Sequence, residues 1–223
     1  MATLIVIPTK IELNPFLERL KSLSVGEPFI IDKREISYFP RLELYVAPGG
    51  LGKAQFAVQT QFYLDHIDGL ERVFCLGAAG SLEVNVKLFD IVIGVKTIEH
   101  DIKTSRKQLI PCFEADRELI ETMRRCGSDS GNFTLHFGPI ASGDEEVSCE
   151  ESKERVAGRT KALAVAWEGA GGARACQFSH VPFVEIRGIS DSADGETHRD
   201  FKQNLKVLMV SLADYISFVL AAL

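Results

Sequence analysis

Cysteine is scarce in this chain, and no two cysteines share a motif. Five of them, at 75, 112, 126, 149 and 176, are scattered over 223 residues with no Cys-x-x-Cys spacing. That excludes a zinc ribbon and a thioredoxin-type motif. An odd count behind an N-terminus that lacks a basic leader reads as reduced thiols in a cytosol, so a cytoplasmic protein is expected. Long apolar runs are lacking too: none approaches the ~20 residues of a membrane span, so no membrane partner is expected. Basic residues are in deficit, 25 Lys+Arg against 31 Asp+Glu, for a net charge of -6. A general nucleic-acid binder needs a basic face to pair phosphates, which argues against that class. No linker, low-complexity tract or internal repeat divides the chain, so one domain over 1–223 is expected.

What is present is ordinary globular composition, 46% hydrophobic and 25% charged. Apolar β-rich runs at 3–7, 72–76, 90–95, 134–142, 162–167 and 181–190 alternate with helical patterns at 11–23, 53–66, 115–126, 150–158, 168–180 and 198–223. Shorter strand patterns lie at 29–31, 35–39 and 42–47. Residues 97–114 read as a long loop without a period, and loops of that length are often functional. The alternation predicts an α/β protein, a three-layer α/β/α sandwich around a central twisted mixed sheet. Ligands of such sheets bind beyond the carboxyl ends of the strands. Attention therefore falls on 8–12, 48–53, 77–80, 142–147, 167–169 and 190–194.

Several tempting motifs fail. Gly49-Gly50-Leu51-Gly52-Lys53 resembles a phosphate loop, but Ala47 and Ala54 occupy the places of its first glycine and its hydroxyl residue. Gly77–Gly80 and 169–172 lack dinucleotide-loop spacing. Glu99-His100-Asp101 has no second His or Cys pair to complete a metal site, so it reads as a solvated loop or a backbone-tethering histidine. No Gly-x-Ser-x-Gly elbow occurs.

The loops taken together resemble the nucleoside phosphorylase/nucleosidase superfamily. They are most similar to the 5′-methylthioadenosine/S-adenosylhomocysteine nucleosidases. The stretches are 5–12, GGLGKAQFAVQTQFYLDH (49–66), LGAAGSLEVNVKLFDIVIG (76–94), ASGDEEV (141–147), AVAWEGAGGARAC (164–176), VPFVEIRGISDSAD (181–194) and the region of Phe201. The resemblance implies roles. Asp191 is the acid that protonates purine N7, and Ser190 orients it. Glu12 holds and activates the attacking water, Glu168 binds the ribose hydroxyls, and Arg187 lies near the catalytic site. Val147 meets the base edge through its backbone, and Phe201 packs by the purine. Trp167, Leu51, Ala78 and Glu146 complete the substrate-binding set.

The chemistry requires these residue types. An adenine anion leaves poorly, so a carboxylic acid neutralises it as the glycosidic bond breaks. The oxocarbenium-like sugar is served by carboxylates, as in glycosidases. Each residue also has a plain structural alternative. Asp191 alone reads as a turn cap, and its neighbouring motifs tip it towards the acid. Glu12 suits a helix dipole equally well, and so does Glu168. Phe201 is core more often than ligand, and Trp167 weighs equally as core or as a wall of the 5′ pocket. Arg187, flanked by apolar strand residues, needs a carboxylate partner.

Departures from the family pattern bear on the substrate. Glu146 replaces a stacking Phe, Ala166 a glutamate, Ala78 a hydroxyl residue and Thr9 a Met. Cys75 stands where bacterial-type phosphorylases carry an Arg, so water is the expected acceptor. The expectation is a cofactor-free, metal-free N-ribosyl hydrolase of a 5′-modified purine nucleoside. The resemblance also implies a homodimer. A futalosine-type hydrolase, a phosphorylase and a non-catalytic nucleoside-binding protein remain open as alternatives.

Overall fold

A computed structural model of the chain describes residues 2–103, 110–127 and 133–223. In chain order its elements are β1 (Ala2–Ile7), α1 (Lys10–Leu23), β2 (Glu27–Ile31), β3 (Arg34–Phe39), β4 (Leu44–Pro48), α2 (Lys53–His66), β5 (Leu70–Ser81) and β6 (Ile91–Glu99). They continue with β7 (Cys112–Glu114), α3 (Arg117–Cys126), β8 (Leu135–Ser142), α4 (Glu150–Thr160), β9 (Ala164–Ala166), α5 (Gly169–Ser179), β10 (Phe183–Asp191) and α6 (Thr197–Leu220). The protein is a mixed α/β fold around a central sheet with parallel and antiparallel pairings.

The central strands are apolar on both faces, as strands covered on both sides must be. In β1, Ile5 and Ile7 enter one core while Leu4 and Val6 enter another. In β5, Phe74 and Leu76 go one way, Val73 and Cys75 the other. This is the period-2 alternation of a strand. The first core is completed by Phe16 and Leu20 of α1, Met123 of α3 and Leu208 to Val219 of α6. The second is completed by Phe56 and Tyr63 of α2 and by Ala170, Ala173 and Cys176 of α5.

One half of the sheet is open, running β2, β3, β4, β1, β5. The other half closes. β5 pairs β10, β10 pairs β6, β6 pairs β8, β8 pairs β9, and β9 returns to β5. Ala79, Val92, Ile140, Ala164, Ala166 and Ile189, drawn from all five strands of this ring, form one small buried cluster. Alanines alternate with β-branched side chains to fill this narrow interior.

Four expectations need correcting. Gly77-Ala78-Ala79-Gly80 is not a loop: it continues β5, paired along β10 from Arg187↔Gly77 to Asp191↔Gly80. The apolar pattern stops at Leu76 because bulk is not admissible beyond it. A Cβ on Gly77 would lie 2.6 Å from Arg187 Nη1, and one on Gly80 2.8 Å from Asp191 Oδ1. The expected loop 97–114 instead holds the end of β6 and the short partner strand β7, with Thr97 opposite Phe113. Its residues 104–109 lie outside the described ones. The strand expected at 162–167 is only Ala164–Ala166. The strand expected from 42 starts at Leu44, after a 3₁₀ turn at Pro40–Leu42. Among the described residues, no helix is long and apolar enough to cross a membrane.

Candidate active site

A cavity of about 270 Å³ opens where the carboxyl ends of β1, β5 and β10 meet the loops after β8 and β9. Of the residues singled out from sequence, Glu12, Leu51, Ala78, Glu146, Val147, Trp167, Glu168, Ser190, Asp191 and Phe201 all line it. Arg187 does not. It is fully buried behind the wall, because its position on β10 points it beneath the end of β5.

Asp191 ends β10. Ser190 Oγ donates to its Oδ2 at 2.7 Å, while the Ala193 amide and Thr197 Oγ1 donate to its Oδ1 at 2.9 and 3.2 Å. The contact to Ala193 is the two-residue turn cap expected of a strand-end Asp. Capping and facing the cavity are therefore compatible. Each of these bonds favours the anion, yet burial outweighs them and holds the carboxyl above its usual range.

Glu12 occupies the first turn of α1. Its Oε2 accepts from the amide and the hydroxyl of Thr9, at the helix start. Its Oε1 reaches across to the Ala78 amide of β5 at 3.0 Å. One carboxylate thus caps a helix, as its position suggests, and ties that helix to the floor of the cavity. Glu168 stands just before α5. Its Oε1 accepts from the Gly52 amide at 3.3 Å, and its Oε2 from Arg187 Nη2 at 3.4 Å. Burial, reinforced by the charge of Glu12 and opposed by Arg187, pushes Glu168 up to about 7. Burial without full pairing is the usual origin of such a shift.

The outer rim is polar. Glu146 pairs with His198 Nε2 at 2.7 Å, joining the loop after β8 to the start of α6. Deeper in that loop, the Asp144 amide donates to Asp101, whose carboxylate is gripped by Lys53 Nζ at 2.6 Å. Lys53 also holds Glu99 at 2.7 Å. The Glu99-His100-Asp101 segment is therefore a strut under the loop that carries Val147, and the expectation of a solvated loop fails. His100 is buried with neither ring nitrogen hydrogen-bonded. Its pKa is lowered, chiefly by burial.

Sequence reading missed two groups at this site. Thr197, which bonds Asp191, looked like the approach to a helix. Glu185, which accepts from Arg187 Nε at 2.8 Å, was hidden in an apolar strand. The signal for it existed: a buried Arg needs a carboxylate, and this one stands two residues away on the same face.

A family model described as the phosphorylase superfamily matches residues 3–221. The chain belongs to the phosphorylase superfamily. Within it, a 5′-methylthioadenosine/S-adenosylhomocysteine nucleosidase from Thermotoga maritima is 32% identical over 197 residues, 87% of each chain. An aminodeoxyfutalosine nucleosidase from Helicobacter pylori is 32% identical over 166 residues, 71% of each chain. Among solved structures, a 5′-methylthioadenosine/S-adenosylhomocysteine nucleosidase from Neisseria meningitidis in complex with methylthio-immucillin-A superposes with a TM-score of 0.87. It is 26% identical, and the match covers 100% of both chains. In this phosphorylase-superfamily chain the cavity is thus lined by three buried carboxyls, Glu12, Glu168 and Asp191, with one buried guanidinium behind them.

Proposed function

We propose that this protein hydrolyses the N-glycosidic bond of a 5′-modified purine nucleoside of the methylthioadenosine/S-adenosylhomocysteine type. The observation that carries this reading is Asp191: a buried carboxyl with raised proton affinity, in one cavity with Glu12 and Glu168. Asp191 gives its proton to purine N7 as the bond to C1′ breaks, so the base leaves neutral. Ser190 and Thr197 fix the direction of that carboxyl. Glu12 orients the water and takes its proton as it attacks C1′, and Glu168 takes the ribose hydroxyls. Val147 and Phe201 receive the base. Leu51 and Trp167 line the 5′ side, Ala78 lies by the ribose, and Glu146 takes the place of a stacking ring. General acid–base help of this kind typically contributes ~10²–10⁴-fold, and holding the sugar supplies orientation. The names of the Thermotoga, Helicobacter and Neisseria relatives support the same reaction class.

Water rather than phosphate is the acceptor in this reading. Cys75 and Ala78 stand where a phosphate dianion would want an Arg and a hydroxyl, and Cys75 is buried out of the cavity. The aminodeoxyfutalosine nucleosidase relative favours a second substrate for the same chemistry, one with a larger 5′ group. The reading extends to the whole molecule: a cytoplasmic homodimer with no cofactor. Each chain is one domain over 1–223, built as a three-layer α/β/α sandwich with a twisted sheet. The division of β1 and β5 between two helix-covered cores supports the layering.

The test is a substrate panel. Methylthioadenosine, S-adenosylhomocysteine, adenosine, inosine and futalosine are each incubated with and without phosphate, and free base is followed. Adenine release from the first two without phosphate is expected. Strict phosphate dependence would convert the enzyme to a phosphorylase. Binding without release from any nucleoside would make it a non-catalytic nucleoside-binding protein.

A further inference from the structure

One buried carboxylate beside the site has no part in the reaction described above. Glu185 sits two residues before Arg187 on β10, and both are fully buried. Residues i and i+2 of a strand share a face, so the two side chains lie side by side. Arg187 Nε donates to Glu185 Oε1 at 2.8 Å, and Thr97 Oγ1 of β6 donates to Glu185 Oε2 at 2.6 Å. Both oxygens accept, which is the hydrogen-bonding pattern of a carboxylate anion. The seat is tight on the α5 side: a Cβ on Gly169, the first residue of that helix, would overlap Glu185 Oε2.

Arg187 turns its remaining donors the other way. Nη1 reaches the Ala78 carbonyl at 3.4 Å, and Nη2 reaches Glu168 Oε2 and Cys75 Sγ, also at 3.4 Å. Glu12 faces the same guanidinium from α1. Three carboxyls therefore share one cation. The shortest contact goes to the one carboxylate that does not line the cavity.

We propose that Glu185 is a positioning residue. It holds Arg187 by Nε, fixes the direction of the guanidinium, and draws off charge that Glu168 would otherwise receive. A guanidinium given wholly to Glu168 would hold it as a firm anion. A long contact leaves burial and the charge of Glu12 in command. Glu168 is faced by Arg187 from β10, Glu12 from α1 and the Gly52 amide at the start of α2. Arg187 is faced by Glu185, Glu168, Glu12 and the Cys75 thiol of β5. A carboxyl that titrates near neutrality meets a ribose hydroxyl as acceptor or donor depending on pH. The functional part of this inference rests on Glu168 being the ribose-binding group.

Glu185→Gln tests it, since glutamine keeps the volume and one acceptor but removes the charge. Side-chain carboxyl carbons of the substrate-free protein are titrated by NMR, with the Glu168 signal assigned by its loss in Glu168→Gln. The expected result is a Glu168 midpoint lowered by roughly 1–3 units, with the acid limb of kcat/KM moving down alongside it. An unchanged midpoint in folded protein overturns the proposal. The titration needs no turnover, so a failure of the hydrolase reading leaves this measurement intact. Glu185→Asp guards against a variant that does not fold. It keeps the charge but withdraws the carboxylate from Nε by one methylene, and a smaller fall of the midpoint is expected. If Glu185→Gln fails to fold and Glu185→Asp leaves the midpoint unmoved, Glu185 is only a structural counter-ion.

Discussion

At the scale of single residues, the proposed acid Asp191 carries one pH prediction. Its carboxyl is raised by burial even though three hydrogen bonds pull the other way. The sign follows directly. A group whose folded pKa lies above its unfolded value binds its proton more tightly in the folded state. Its stabilising contribution is full below the unfolded value and is lost as pH rises through the folded one. Activity that needs the acid form falls over the same upper window. Asp191→Asn should lower turnover by ~10²–10⁴-fold and abolish the alkaline limb of the rate profile, while leaving the melting temperature unchanged or higher at alkaline pH. Initial rates of base release and a thermal melt check both halves. A variant with near-normal turnover removes Asp191 from the acid role. The strand-end position of Asp191 alone reads as a turn cap, whereas its place on the cavity wall was legible from the neighbouring motifs. Glu185 was not, because a charged pair inside an apolar strand reads as a flaw in the pattern until pairing of the two is considered. The exclusion of Arg187 from the cavity wall was equally invisible, since side-chain direction beneath β5 depends on strand register.

At the scale of elements, close packing decides what glycine is worth. Gly171 lies in α5 against the start of α2, and a Cβ there would stand 2.2 Å from the Lys53 carbonyl oxygen. Gly158 lies in α4, with nothing within 4 Å of the same added atom. Glycine to alanine in a helix ordinarily gains about 0.5–1 kcal/mol. Forcing a methyl against fixed backbone costs about 1–3 kcal/mol. The second term outweighs the first at 171 and is absent at 158. Gly158→Ala should therefore stabilise by about 0.5–1 kcal/mol, and Gly171→Ala should destabilise by about 1–2 kcal/mol net. Urea denaturation of the two variants checks this, and equal signs would refute the packing argument. Helices α1, α3 and α6 were legible from their apolar period, and the buried central strands from their continuous apolar runs. The extension of β5 through Gly77–Gly80 and the strand β7 were not. The first is made of residues chosen to be small beside Arg187 and Asp191, and the second is three residues long and exists only by pairing with β6.

At the scale of the whole molecule, β5 is the shared member of the open half and the ring. It pairs β1 on the open side, and it pairs both β9 and β10 in the ring. Its apolar residues enter both helix-covered cores, so the open half cannot be peeled from the ring without exposing Phe74, Leu76, Val73 and Cys75. Each large buried side chain exposed costs about 1.5–3 kcal/mol, a sizeable part of a stability that is usually 5–15 kcal/mol. Partial unfolding at this seam is therefore costly, and one cooperative transition is expected. The chain provides a convenient reporter, its single tryptophan, Trp167. It follows β9, the short strand that closes the ring between β8 and β5. Far-ultraviolet circular dichroism instead follows the helices, with α6 the longest among them. In a urea titration the two signals should share one midpoint and one slope, as two-state unfolding requires. An earlier midpoint for Trp167 would mean that the ring opens while the helices stand. In that case residues 1–223 would be two folding units, with the cavity built across the weaker one.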